Sequence, residues 1–119
     1  MNAVSRCSLK EIQMHLALGT FSNNDLLCLA INESTPKKIL DILPAYCRHG
    51  SLVALNSNTS RKTLKRLAIC ADNYTRINVI DNPNIDMITL KVMGKYDNDP
   101  HIAAHARYIY RKRRKAGEK

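Results

Sequence analysis

The sequence predicts an all-α protein, a short right-handed array of about four helix pairs stacked as an α-solenoid. Three observations predict it. Hydrophobic residues make up 45% of the 119, enough for a packed core rather than a disordered chain. The palette is rich in Leu, Ile and Ala, with five Tyr, one Phe and no Trp, which suits helices packing on helices. Most telling, three segments (30–40, 54–64 and 80–90) align column by column, at offsets of 24 and then 26 residues.

Taken in chain order, Ser8 with Glu11 forms a capping box that opens a first helix over 8–18, and Gly19 closes it. Asn24 and Asp25 open a second over 24–31. This pair reads as a degenerate first unit, as expected of an end cap. Thr35 before Pro36 signals the next start, because proline suits the first helical position. That helix is expected over 36–48, interrupted or kinked at Pro44. Shorter apolar segments follow the first helix of each unit, giving helices near 51–56, 74–80 and 100–114. First helices are expected again at 60–71 and 86–96, and the turn Asp97–Pro100 launches the last one.

Each repeated column has a physical job. Asn32, Asn56 and Asn82, followed by Ser or Thr, are expected to accept bonds from orphan backbone N–H groups and so begin the next helix. Leu40, Leu64 and Leu90, with Leu43, Leu67 and Met93 three residues on, supply the inward stripe of each first helix and are expected to form the core between adjacent units.

The pattern Ala-x-Asn, then Thr, then a Leu pair, an Asp-containing turn and a second short helix resembles the variant leucine-rich repeat. Asn82-Pro83-Asn84 matches the Asn-Pro start of that family, and Asp72 with Arg76 resembles its turn before the second helix. The resemblance covers roughly residues 30–106 and implies alternating α and 3₁₀ helices wound into a superhelix. It also overlaps HEAT-like repeats, some of which bind DNA. The Asn-Pro pair occurs in only one of the three units, and the spacing drifts. The iron–sulfur cluster associated with one family member needs clustered cysteines; this chain has none, so no cofactor is carried over.

Charge points to the partner. The net formal charge is +9. Residues 107–119 hold seven basic groups against Glu118, while the other 106 residues carry 12 basic and nine acidic groups. The chain thus divides into a repeat domain, 1–107, and a basic C-terminal tail, 108–119. In the tail, Tyr108 and Tyr110 lie beside Arg111, Lys112, Arg113, Arg114 and Lys115; cations neutralise phosphates and Tyr can stack on a base. A second basic patch, Lys37, Lys38, Arg61, Lys62, Lys65, Arg66 and Lys91 (with Lys95), falls on the aligned first helices, where stacking would line it into a stripe broken by Asp41. A nucleic-acid partner is expected from both patches. The alternative is a protein adaptor or inhibitor that docks on an acidic partner surface.

Catalysis finds no footing. His101 and His105 share a helix face at metal-ligand spacing, and Asp97 or Asp99 could add an oxygen, but a structural zinc site needs four ligands and no third strong one is placed, so no metal is expected. Cys7, Cys28, Cys47 and Cys70 lie 21, 19 and 23 residues apart among apolar neighbours, as packing residues do, and Cys47-Arg48-His49 is a sequence adjacency rather than a dyad. There is no phosphate-cradling glycine loop. No secretory core precedes the cysteines and no run approaches a membrane span, so a soluble, cytoplasmic chain with reduced thiols and no disulfide is expected.

Overall fold

A computed structural model describes residues 7–45 and 49–118. Tyr46, Cys47 and Arg48, and with them the end of the helix expected over 36–48 and the Cys47–His49 adjacency, lie outside the described residues. Within these bounds the chain is all-helical, with no strand. The elements are α1 (Leu9–Leu18), α2 (Asn23–Ile31), α3 (Lys37–Ile42), α4 (Gly50–Leu55), α5 (Arg61–Leu67), α6 (Asn73–Asp81), α7 (Met87–Tyr96) and α8 (Pro100–Lys115). No helix among the described residues is long and apolar enough to cross a membrane.

Local chemistry sets most boundaries. Ser8 and Glu11 form the expected capping box, and Gly19 ends α1 in the left-handed region at φ 68°. Ser22, not Asn24, caps α2, exchanging bonds with Asp25. Asp72, Asp86 and Asp99 cap α6, α7 and α8. Pro44 cannot continue α3, which gives way to a 3₁₀ turn at Leu43–Ala45. Thr35 departs from its expected role: it is buried and donates to Leu29 O at 2.7 Å instead of capping α3, and Thr59 repeats the bond onto Val53 O. α5 stops at Leu67 rather than 71. Beyond it, Cys70 N–H bonds Leu67 O in a tighter i→i+3 turn, and the carbonyls of Cys70 and Ala71 are taken by the Arg76 guanidinium.

Packing joins near neighbours in the chain order. α2 lies against α4, α4 against α6 and α6 against α8; among the first helices, α1 meets α3 and α3 meets α5. Leu40, Leu43, Leu64, Leu67, Leu90 and Met93 are all buried in one continuous apolar cluster with Ile39, Val53, Val79 and Ile102. The molecule measures 43 × 27 × 20 Å, and its radius of gyration of 15.3 Å exceeds the value of about 13.5 Å for a compact domain of this length.

Asn32, Asn56 and Asn82 end α2, α4 and α6, and the last two link the loops that follow those helices. Each side-chain oxygen accepts the N–H two residues on, at Ser34, Asn58 or Asn84. The amide nitrogen works backwards. Asn56 Nδ2 donates to Ala30 O and Asn32 O, and Asn82 Nδ2 to Ala54 O and Asn56 O, at 2.8–3.0 Å. Asn58 and Asn84 add further bonds to Thr35 O and Ser57 O. Helix-terminal carbonyls of one unit are thereby satisfied by the next. No buried side-chain nitrogen or oxygen among the described residues lacks a partner. We expect Asn82→Ala to cost about 1–3 kcal/mol in thermal unfolding, because it strands buried carbonyls. Asn32→Ala should cost clearly less, since Asn32 is exposed whereas Asn82 is buried. Equal losses would refute the ladder.

Candidate functional site

The most cationic element is α8, and its placement follows from its two ends. Asp99 caps the start, accepting from His101 N at 2.8 Å, with Pro100 in the first turn. At the other end Gly117, at φ 95°, bonds Arg114 O while Glu118 N bonds Arg113 O, the pairing of a left-handed Schellman cap. Residues 108–115 therefore continue the helix unbroken, so the boundary expected between residues 107 and 108 would fall inside α8. Ile102, Ala103 and Ala106 face inward, with Ile109 and Tyr110 half-buried behind them. Close approach of α8 to α7 depends on Gly94, where a Cβ would sit 2.7 Å from Arg107 Cγ.

The cations of α8 are of two kinds. Arg107 donates to Gly94 O at 2.6 Å, and Arg113 donates to Ile85 O at 2.7 Å and pairs with Glu118. These two fasten the helix to the body. The hydrogen bond and charge of Arg113 hold the Glu118 carboxyl below its usual range, so it is ionised at neutral pH and cancels the Arg113 charge. Arg111, Lys112, Arg114 and Lys115 stand exposed with Tyr108, and Arg114 also reaches the hydroxyl of the half-buried Tyr110 at 3.3 Å.

The first-helix patch divides in the same way. Lys37, Lys38, Arg61, Lys62 and Lys91 are exposed, with no ion pair to another described residue. Lys65 pairs with Asp86 at 3.1 Å, and Arg66 donates to Asp41 O at 2.6 Å and to Thr63. Burial opposes ionisation of Asp86, but bonds from Thr89 and Lys65 outweigh it and leave its carboxyl below the ordinary value. Asp41, which breaks the lysine column, instead accepts from Ser60 and Thr63 at the start of α5. The same link between units is thus made twice with opposite polarity, by Asp41 on Ser60 and by Lys65 on Asp86.

The asparagine bonds set the loops before α3, α5 and α7 side by side along one edge of the helices. α3 and α5 begin directly after the asparagine-linked loops 32–36 and 56–60, so Lys37, Lys38, Arg61 and Lys62 occupy first turns on that edge. Arg113 ties the last turns of α8 to the third loop at Ile85. At the start of α7 the columns of Lys37 and Lys38 hold Met87 and Ile88.

The histidines diverge. His105 Nε2 lies 2.7 Å from Asp81 Oδ1 on α6, while His101 is exposed. Among the described residues no three His, Cys, Asp or Glu side chains are grouped to hold a metal ion. Cys28 and Cys70 are half-buried free thiols, and Cys7 is half-buried. Sequence reasoning missed the anchoring roles of Arg107 and Arg113, which join residues 13 and 28 positions apart. It also missed an exposed apolar row on α7, whose signal was Ile88, Val92 and Tyr96 at intervals of four.

No family model, curated protein or solved structure matches this chain.

Proposed function

We propose that this protein is a non-catalytic, nucleic-acid-binding member of the variant leucine-rich or HEAT-like repeat class, a right-handed α-solenoid of about four helix pairs. The solenoid reading rests on the neighbour-to-neighbour packing of α2, α4, α6 and α8 and on the asparagine links between units. The observation that supports the function is that exposed cations gather in two places, Lys37, Lys38, Arg61 and Lys62 in the first turns of α3 and α5, and Arg111, Lys112, Arg114 and Lys115 in the last turns of α8, whose end Arg113 ties to the loop before α7. Exposed Arg and Lys grip phosphate and release condensed counterions. Such contacts position a backbone without reading bases, so sequence preference is slight.

Fluorescence anisotropy of labelled duplex and single strands, across a salt series, tests this. Wild-type affinity should fall steeply with salt. Replacing Arg111, Lys112, Arg114 and Lys115 with Ala should lower the log–log slope by about three to four, at roughly 0.9 per duplex phosphate released. Replacing Lys37, Lys38, Arg61 and Lys62 should weaken binding separately. Arg113 is kept in both variants because it holds α8 in place. Absence of binding to either strand form at low salt would end the proposal.

A further inference from the structure

α7 is apolar on two sides. Leu90 and Met93 point into the core, yet Ile88, Val92 and Tyr96 form a second row on the outer surface. Ile69, just beyond α5, faces the same space; the exposure of these four side chains runs from 49% at Val92 to 86% at Ile69. Between them lies an open groove of about 770 Å³, with Ala68 and Met93 among its lining. Its volume is that of a site for a few large side chains. A surface helix normally carries one apolar stripe, and contiguous exposed apolar side chains mark contact surfaces.

Charge selects the occupant. Asp97, the one carboxylate lining the groove, is taken by Arg76, and Asp86 at the margin is taken by Lys65. Lys91 and Lys95 flank the row without a carboxylate partner, and Lys95 Nζ stands 5.3 Å from the centre of the Tyr96 ring. A second copy meeting this one through a two-fold contact would set Lys91 and Lys95 against themselves, in a chain of net charge +9. A phosphate backbone would satisfy the lysines and leave the aliphatic row uncovered. An acidic amphipathic helix satisfies both. The row runs over nine residues, eight steps or about 12 Å of helix, which two to three turns of a partner would cover.

We infer that this groove binds an amphipathic helical segment of another protein, with apolar residues at i, i+3 or i+4 and i+7 seated on Ile69, Ile88, Val92 and Tyr96 and with Asp or Glu beside Lys91 and Lys95. The groove runs along α7 from Ile88, in its first turn, to Asn98 beyond its last.

The test is a selection of random 14-residue peptides displayed against the full chain, with counter-selection on the Val92→Ser/Tyr96→Ser variant. Both positions are exposed, so the variant should fold, which its circular dichroism and melting curve would verify. Surviving peptides should combine the apolar spacing with acidic flanks. Measured by calorimetry as synthetic peptides, they should lose at least tenfold in affinity on Val92→Ser/Tyr96→Ser and less than twofold on Arg111→Ala/Lys112→Ala/Lys115→Ala. The inference is overturned if no peptide survives counter-selection, if survivors lack acidic residues, or if their binding follows the α8 substitutions. It is equally overturned if light scattering finds a dimer that Val92→Ser/Tyr96→Ser converts to monomer, for then the occupant is a second copy.

Discussion

Arg76→Met should destabilise the protein by about 3–5 kcal/mol, the cost of breaking a buried ion pair from one side. Arg76 and Asp97 pair at 2.9 Å with side chains only 8% and 3% exposed. The guanidinium also donates to Cys70 O, Ala71 O, Asn73 Oδ1 and Asn98 Oδ1. Methionine fills much of the volume but leaves the Asp97 side chain, 3% exposed, without its guanidinium partner and strands two carbonyls. Arg76→Met/Asp97→Leu should recover part of the loss, because no charge then remains buried. Recovery stops short of wild type, since the α5–α6 turn still lacks its donor and Asp97 Oδ1 no longer accepts Asp99 N at the start of α8. Urea unfolding of both variants is the measurement. A loss below about 1 kcal/mol for Arg76→Met would show that Asp97 is solvated in solution.

Leu64→Ala should cost about 2–5 kcal/mol, because it removes three buried carbons from a site closed by neighbours on several sides. Leu64 is fully buried in the cluster that holds Leu40, Leu67 and Leu90. Ile69→Ala is its control. It deletes a comparable aliphatic group only five residues away, but Ile69 projects from the surface, so its change should stay within about 0.5 kcal/mol. Chemical denaturation separates the two. If they cost the same, the inward register of the repeated Leu column is wrong.

Much of the fold was legible because its determinants are local. The Ser8–Glu11 box, the Asp97–Pro100 turn, Pro44 and the Leu pairs three residues apart each act within about one helical turn. Where local signals competed, the reading slipped. Thr35 had a backbone carbonyl behind it as well as a helix ahead of it, and it chose Leu29 O. Nothing near Leu67 says stop, because the group that claims the next carbonyls is a guanidinium several residues on. For the candidate site, the positions rich in charge were evident, but their division into anchors and exposed cations was not. Lys65, Arg66 and Arg113 find partners 21, 25 and 28 residues away, and Lys37, Lys38, Arg61 and Lys62 look no different until those distances are closed.

By itself, then, the sequence determined an all-helical chain, the columns that turn inward and a strong positive charge, since helix periodicity, capping and net charge depend on residues a few positions apart or on no geometry at all. Only the tertiary structure decided that Asn56 and Asn82 reach back one unit, that Arg113 fastens α8 to Ile85, and that the outer row of α7 stays uncovered. Those outcomes depend on which atoms the stacking of units brings within about 3 Å, and a hydrogen bond or a desolvated contact exists only at that range.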